Sequence, residues 1–252
     1  MSAPALGPPF RLRGQQTTRL EGFSDAVFGF ALTLLVVSLE APRTFAEFQE
    51  ALSGLLPFTI CFAIFLPIWL EHHTFFRRYA LGDPWTVLLN SLLLFVVLAY
   101  VYPLKFLFSL LSWELMGALP SAVTEQPITL AQMKVLMYVY GVGFAAIAGI
   151  FALFYANALR QAERLELTAL ERHDTVTSIA VQLVMVTVGL ASIAAVASGL
   201  HVRWAGLVYF AIGPAIGTAR WLRGRGRAGL AARLAAAADP PSAARPTPAD
   251  AG

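Results

Sequence analysis

Charge is scarce in this sequence: 13% of its 252 residues are Asp, Glu, Lys or Arg, while 58% are hydrophobic. Soluble domains carry about 25% charged residues, so folding around one water-exposed core is excluded and most side chains must face lipid. Cysteine is nearly absent. The single thiol, Cys61, can form neither an intramolecular disulfide nor a cluster of thiolate metal ligands, and inside an apolar run it reads as a small packing residue. Enzyme signatures are missing as well: there is no nucleophile elbow, Walker loop, H-E-x-x-H or paired-carboxylate motif. The N-terminus carries Pro4, Pro8, Pro9, Arg11 and Arg13 in place of an apolar run with a small-residue cleavage site. A cleaved signal peptide is therefore not expected, and the first apolar segment stays in the mature chain.

Long apolar runs are what the sequence has instead. A span needs roughly 20 mostly apolar residues, and six stretches qualify: Phe23–Leu39, Leu55–Leu70, Trp85–Phe108, Val135–Ala156, Thr175–Ala197 and Trp204–Leu222. The first two are short and are lengthened by their flanks, back to Arg19 and to Phe48. The expected fold is all-α, a polytopic membrane protein of six transmembrane helices. Of the 18 arginines and lysines, only Arg43, Lys105, Lys134 and Arg203 fall on one side of this arrangement. The positive-inside rule then places both termini in the cytoplasm, as an even number of spans requires.

Three segments follow: residues 1–18 as a cytoplasmic N-terminal segment, 19–222 as the six-helix domain, and 223–252 as a cytoplasmic tail. The tail opens with Arg223-Gly-Arg225-Gly-Arg227 and ends Ala- and Pro-rich, a composition that cannot bury a core. It reads as an arginine cluster on anionic headgroups followed by disorder. The net charge of +3 is explained by membrane orientation, so no nucleic-acid partner is expected. Nothing in the sequence calls for a metal or a cofactor.

The first span carries the most information. Thr18-Arg19-Leu20-Glu21 fits a capping box, which starts the helix at Arg19 and places Asp25 about 9 Å along it. A carboxylate at that depth is costly unless partnered. Either Ser24 and Asp25 form a buried hydrogen-bond network that fixes helix packing, or they line a vestibule for cations or protons. The pair His72-His73 ends the second span, and three roles stand open for it: partnership with Asp25 or its neighbours, interfacial packing, or metal binding. Adjacent helical residues point about 100° apart, which disfavours a shared metal. Asn90, in the same half of the third span, can join such a network.

Farther along, Tyr140-Gly141-Val142-Gly143-Phe144 superficially resembles a carbonyl selectivity filter. Its order is wrong and it lies within a continuous apolar span, so close helix packing by the two glycines is the better reading.

The pattern Arg19-x-x-x-Phe23-Ser24-Asp25, followed by Ala-Val-Phe-Gly-Phe-Ala-Leu-Thr-Leu-Leu-Val, resembles the signature of the transmembrane protein 175 family of endosomal and lysosomal potassium channels and their bacterial relatives. Trp69-Leu-Glu-His72-His73-Thr-Phe-Phe76 and Asp83 with Asn90 look like the same family's pattern, so the resemblance runs from about Arg19 to Pro103. It implies a passive, potassium-preferring cation channel in a bacterial inner membrane, with one six-helix repeat per chain assembled as a homotetramer. First helices would surround the axis, and an apolar constriction would fall at Phe30, Leu34 and Val37, bordered by Thr33. Arg19, Phe23, Ser24, Asp25, His72, His73 and Asn90 would form the network supporting that helix. The residues alone leave ordinary helix packing open for this stripe. Phe30 departs from the family, which usually has a branched aliphatic residue there, and four phenyl rings would narrow a pore further. Alternatives on the same fold are a non-conducting scaffold or binding protein, and a membrane enzyme using His72, His73 and Asp25.

Overall fold

Helix starts are written locally. In the computed structural model, which describes residues 10–36, 43–45, 48–49, 52, 55–116, 129–199 and 206–238, helix α1 spans Arg19–Val36. Its capping box is formed: Glu21 N–H donates to Thr18 Oγ1 at 3.2 Å, and Thr18 N–H donates to Glu21 Oε2 at 2.8 Å. Helix α2 is Leu55–Tyr79 and α3 is Pro84–Met116. Asp83 caps α3 by accepting from Thr86 N–H at 3.2 Å, and Pro84 takes the first helical position, where its missing N–H costs nothing. Helices α4 (Leu130–Arg160) and α5 (Ala169–Ala197) each open on a complete capping box, from Thr129 with Gln132 and from Thr168 with Glu171. A 3₁₀ turn, Val208–Ala211, leads into α6, Ile212–Ala238. All regular structure among the described residues is helical.

Among the described residues, four helical stretches are long and apolar enough to cross a membrane: Phe58–Tyr79, Pro84–Leu107, Leu130–Arg160 and Ala169–Ala197. The apolar part of α1 runs on toward Leu39, outside the described residues. The sixth helix differs from expectation. It does not end near Leu222 but continues through the arginine cluster to Ala238. Alanine and arginine are strong helix formers, and Arg227 Nε donates to Asp174 Oδ1 at 2.9 Å, pinning the extension to α5. The segment 239–252 and Val37 lie outside the described residues.

Helices α4 and α5 pack along most of their length, α3 bridges α4 to α2, and α6 leans on α5. Close approach depends on two glycines. A Cβ at Gly189 would stand 3.1 Å from the Gly141 carbonyl, and one at Gly143 would stand 2.3 Å from the Tyr100 ring. The glycine pair in α4 is thus helix-packing material. Where α2 meets α4, Phe75 sits 4.7 Å from Phe154 and 5.1 Å from Tyr79, ring centre to ring centre. Such aromatic pairs contribute about 0.5–1.5 kcal/mol each beyond area burial.

Candidate pore helix and its anchoring network

Helix α1 is built with two faces. Glu21, Ser24, Phe28 and Ala31, spaced by three and four, are buried against α2 and α3. Turned away from them are Arg19, Gly22, Phe23, Asp25, Ala26, Gly29, Phe30 and Thr33, all exposed in the single chain. Phe23 and Phe30 are 62% and 67% exposed. Leu34 lies about 40° around the helix from Phe30, enough to half-bury it against the core. Of the sequence-derived stripe, then, Phe30 and Thr33 share the open face, Leu34 sits on its edge, and Val37 falls outside the described residues. Thr33 Oγ1 donates to the Phe30 carbonyl at 2.8 Å, which occupies its hydroxyl hydrogen.

Beneath the open face lies a closed polar network. Ser24, His72 and Asn90 are exposed by no more than 1%, and each comes from a different helix. Ser24 Oγ donates to the Leu20 carbonyl at 2.8 Å, Asn90 Nδ2 donates to Ser24 Oγ at 2.9 Å, and His72 Nε2 lies 2.8 Å from Asn90 Oδ1. An amide oxygen can only accept, so His72 Nε2 carries the hydrogen. The His72 ring is wedged between Phe76, at 4.7 Å, and Phe28, at 5.6 Å. Buried polar groups cost energy unless hydrogen-bonded, so the three partners hold α1, α2 and α3 in one register.

Asp25 belongs to a separate cluster. One residue after Ser24, it points about 100° away, and its Oδ1 accepts from Trp69 Nε1 at 2.8 Å. Trp69 in turn stacks on His73 at 5.5 Å and 19°. The histidines are therefore divided. His72 takes Asn90, His73 reaches Asp25 only through Trp69, and direct pairing of either with the aspartate is not what the fold builds. No hydrogen bond or ion pair joins Arg19 or Phe23 to either cluster among the described residues. Between α1 and α2 a groove of about 390 Å³ is walled by Gly29, Leu32, Phe62 and Leu66, with Asp25 and Trp69 at one end.

Sequence reasoning assigned no role to Glu71 and none to the cap at Asp83. Glu71 Oε1 accepts from Tyr155 Oη at 2.7 Å and from Gln182 Nε2 at 3.0 Å, tying α2 to α4 and α5. A carboxylate inside a span was the available signal. Asp83 accepts from Thr86 Oγ1 at 2.6 Å, Gln161 Nε2 at 3.1 Å and Asn157 Nδ2 at 3.3 Å. Burial pushes its carboxyl up, but these hydrogen bonds outweigh burial and hold it below the ordinary aspartate value.

Comparison with known proteins places this arrangement. Residues 19–100 match the family model described as the endosomal/lysosomal potassium channel TMEM175. A potassium channel of Marivirga tractuosa is 42% identical over 193 residues, covering 75% of this chain and 78% of that protein. A potassium channel of Chamaesiphon minutus is 30% identical over 167 residues, 63% of this chain and 73% of the relative. Among solved structures, the crystal structure of a variant of the potassium channel MtTMEM175, in complex with a nanobody fusion protein, superposes with a TM-score of 0.78 at 36% identity. It covers 86% of this chain and 98% of that one.

Proposed function

This chain belongs to the family of the endosomal/lysosomal potassium channel TMEM175, and on that premise we propose that it forms a passive, potassium-preferring pore lined by the α1 helices of a homotetramer in a bacterial cell membrane. The observation that carries the reading is the two-faced α1. Its inner face is tied down by Ser24, His72 and Asn90, while its outer face leaves Phe23, Ala26, Phe30 and Thr33 exposed among the described residues. One such helix cannot enclose an axis, and several copies around a symmetry axis can.

The constriction falls at Phe30, Leu34 and Val37, with Thr33 beside it. A narrow apolar ring makes an ion shed water, and potassium gives up its shell at lower cost than sodium. Asp25, held by Trp69, adds negative charge beside the pathway without standing in its narrowest part. Ser24, His72 and Asn90, with Asp25, Trp69 and His73 alongside, support the helix; Arg19 and Phe23 flank its entrance. Both termini face the cytoplasm, in keeping with the arginine bias. The enzymatic alternative is disfavoured by burial: His72 is 1% exposed and committed to Asn90, which removes it from any open site with Asp25.

Potassium uptake into proteoliposomes carrying the purified protein tests the reading. Wild type should conduct, Phe30→Ala should conduct faster with weaker discrimination against sodium, and Asp25→Asn should conduct more slowly. Absence of flux in wild type, with none gained in Phe30→Ala, overturns the channel and leaves the scaffold.

A further inference from the structure

The pore helix has a second anchor that neither the motif nor the comparisons point to. Among the described residues α1 touches α2 and α3 but neither α4 nor α5. Among the described residues its direct tie to that half of the bundle is the segment preceding it, Phe10–Gly14, which lies as a strap over the end of α2, the α4–α5 connection and the start of α5.

The strap is held by both main chain and side chain. Arg13 N–H and Gly14 N–H both donate to the Arg77 carbonyl at 3.0 Å, and Phe10 lies edge-on to Tyr79 at 5.4 Å with the Arg78 guanidinium 5.0 Å from its ring centre. Arg13 meets the Glu171 carboxylate as a fork, Nη2 to Oε2 at 2.9 Å and Nη1 to Oε1 at 3.3 Å. Its Nε donates to the Leu165 carbonyl at 3.0 Å, and Arg11 N–H donates to Glu171 Oε1 at 3.0 Å. The side chains of Arg13 and Glu171 are only 12% and 6% exposed, and such bidentate, shielded pairs are stronger than surface ones. Gly14 is required by contact: a Cβ there would stand 2.8 Å from the Phe76 carbonyl oxygen. Four residues after Gly14, Thr18 caps α1, so little slack separates the latch from the helix.

We propose that the Phe10–Gly14 strap, latched by Arg13 on Glu171, is a positioning device for the channel: it tethers the base of α1 to the start of α5 and so keeps the apolar constriction narrow. This rests on the reading of α1 as the pore helix. Widening an apolar ring requires the α1 helices to tilt or separate, and the strap opposes that motion at the end of α1 nearest Arg19. Unlatched, the same tetramer conducts more.

Glu171→Gln is the discriminating variant, because glutamine still completes the α5 capping box with Thr168 while removing the charge that holds Arg13. Arg13→Gln removes the same pair from the other side, and Gly14→Ala displaces the strap without altering charge. Potassium flux is measured in proteoliposomes and normalised to the amount of tetramer, alongside the thermal midpoint and tetramer yield. A rise of about tenfold in flux per tetramer in Glu171→Gln, matched by Gly14→Ala, is expected if the latch biases the pore by about 1.4 kcal/mol. A merely structural strap would lower yield or midpoint and leave flux per tetramer unchanged, which overturns the proposal. Loss of folded tetramer in all three variants assigns the strap to folding and overturns it as well. If neither wild type nor Phe30→Ala conducts, the pore reading itself has failed; if both conduct and the strap variants match wild type, only the strap proposal has.

Discussion

Asn90 shows how much one amide can hold. It donates to Ser24 on α1 and accepts from His72 on α2, and all three side chains are buried. Replacing it with alanine strands a ring N–H and a hydroxyl acceptor without partners, at about 1–3 kcal/mol for each buried group left unsatisfied. Asn90→Ala is therefore expected to lower the thermal midpoint in detergent by several degrees, and Ser24→Ala by less, since it leaves the His72 contact intact. Equal midpoints for Asn90→Ala and wild type would remove the network from the account of stability. That Ser24, His72 and Asn90 matter was legible from their types and depths, but their pairing was not. His72 and Asn90 are 18 residues apart and Ser24 and Asn90 are 66 apart, so which histidine faces the amide depends on how α2 is rotated against α3. Periodicity alone does not determine that rotation.

At the scale of helices, starts were easier to read than ends. The Thr18 and Glu21 box marks Arg19 as the first residue of α1 because both partners lie within one turn. The C-terminal half of α6 was not legible, because its Arg, Gly and Ala composition suits a solvated tail and the residue that holds it, Asp174, is 53 positions away. The strap was hidden for the same reason, Arg13 and Glu171 being 158 positions apart. The start of α3 carries a pH signature. Asp83 has its carboxyl held below the ordinary value by Thr86, Gln161 and Asn157. A depressed carboxyl stabilises the folded form fully above the ordinary aspartate pKa of about 4, and the contribution is lost as pH falls through the folded value. Thermal midpoints measured between about pH 6 and pH 3 should fall at the acid end for wild type and fall less for Asp83→Asn. Parallel curves for the two proteins would dismiss Asp83 as the sensor.

For the whole molecule, the open face of α1 is the surface that the proposed tetramer would cover. Phe23 and Phe30 are more than 60% exposed, and the family resemblance implies four copies around one axis. The protein mass in a mild detergent should then be four times the 27.2 kDa of one chain. Phe30→Ala, which keeps the face apolar, should preserve that mass, whereas Ala26→Glu, which places a charge beside it, should shift the protein toward monomer; a monomeric wild type would argue against any axial pore.

The Ser24 network carries one more consequence at this scale. Its shortest hydrogen bonds run from His72 through Asn90 and Ser24 to the Leu20 carbonyl. A proton wire needs every member to take a proton on one side and release one on the other, and an amide does neither near neutral pH. Asn90 thus puts a link that does not pass protons between His72 and α1, so the network can fix the helices without relaying protons between them.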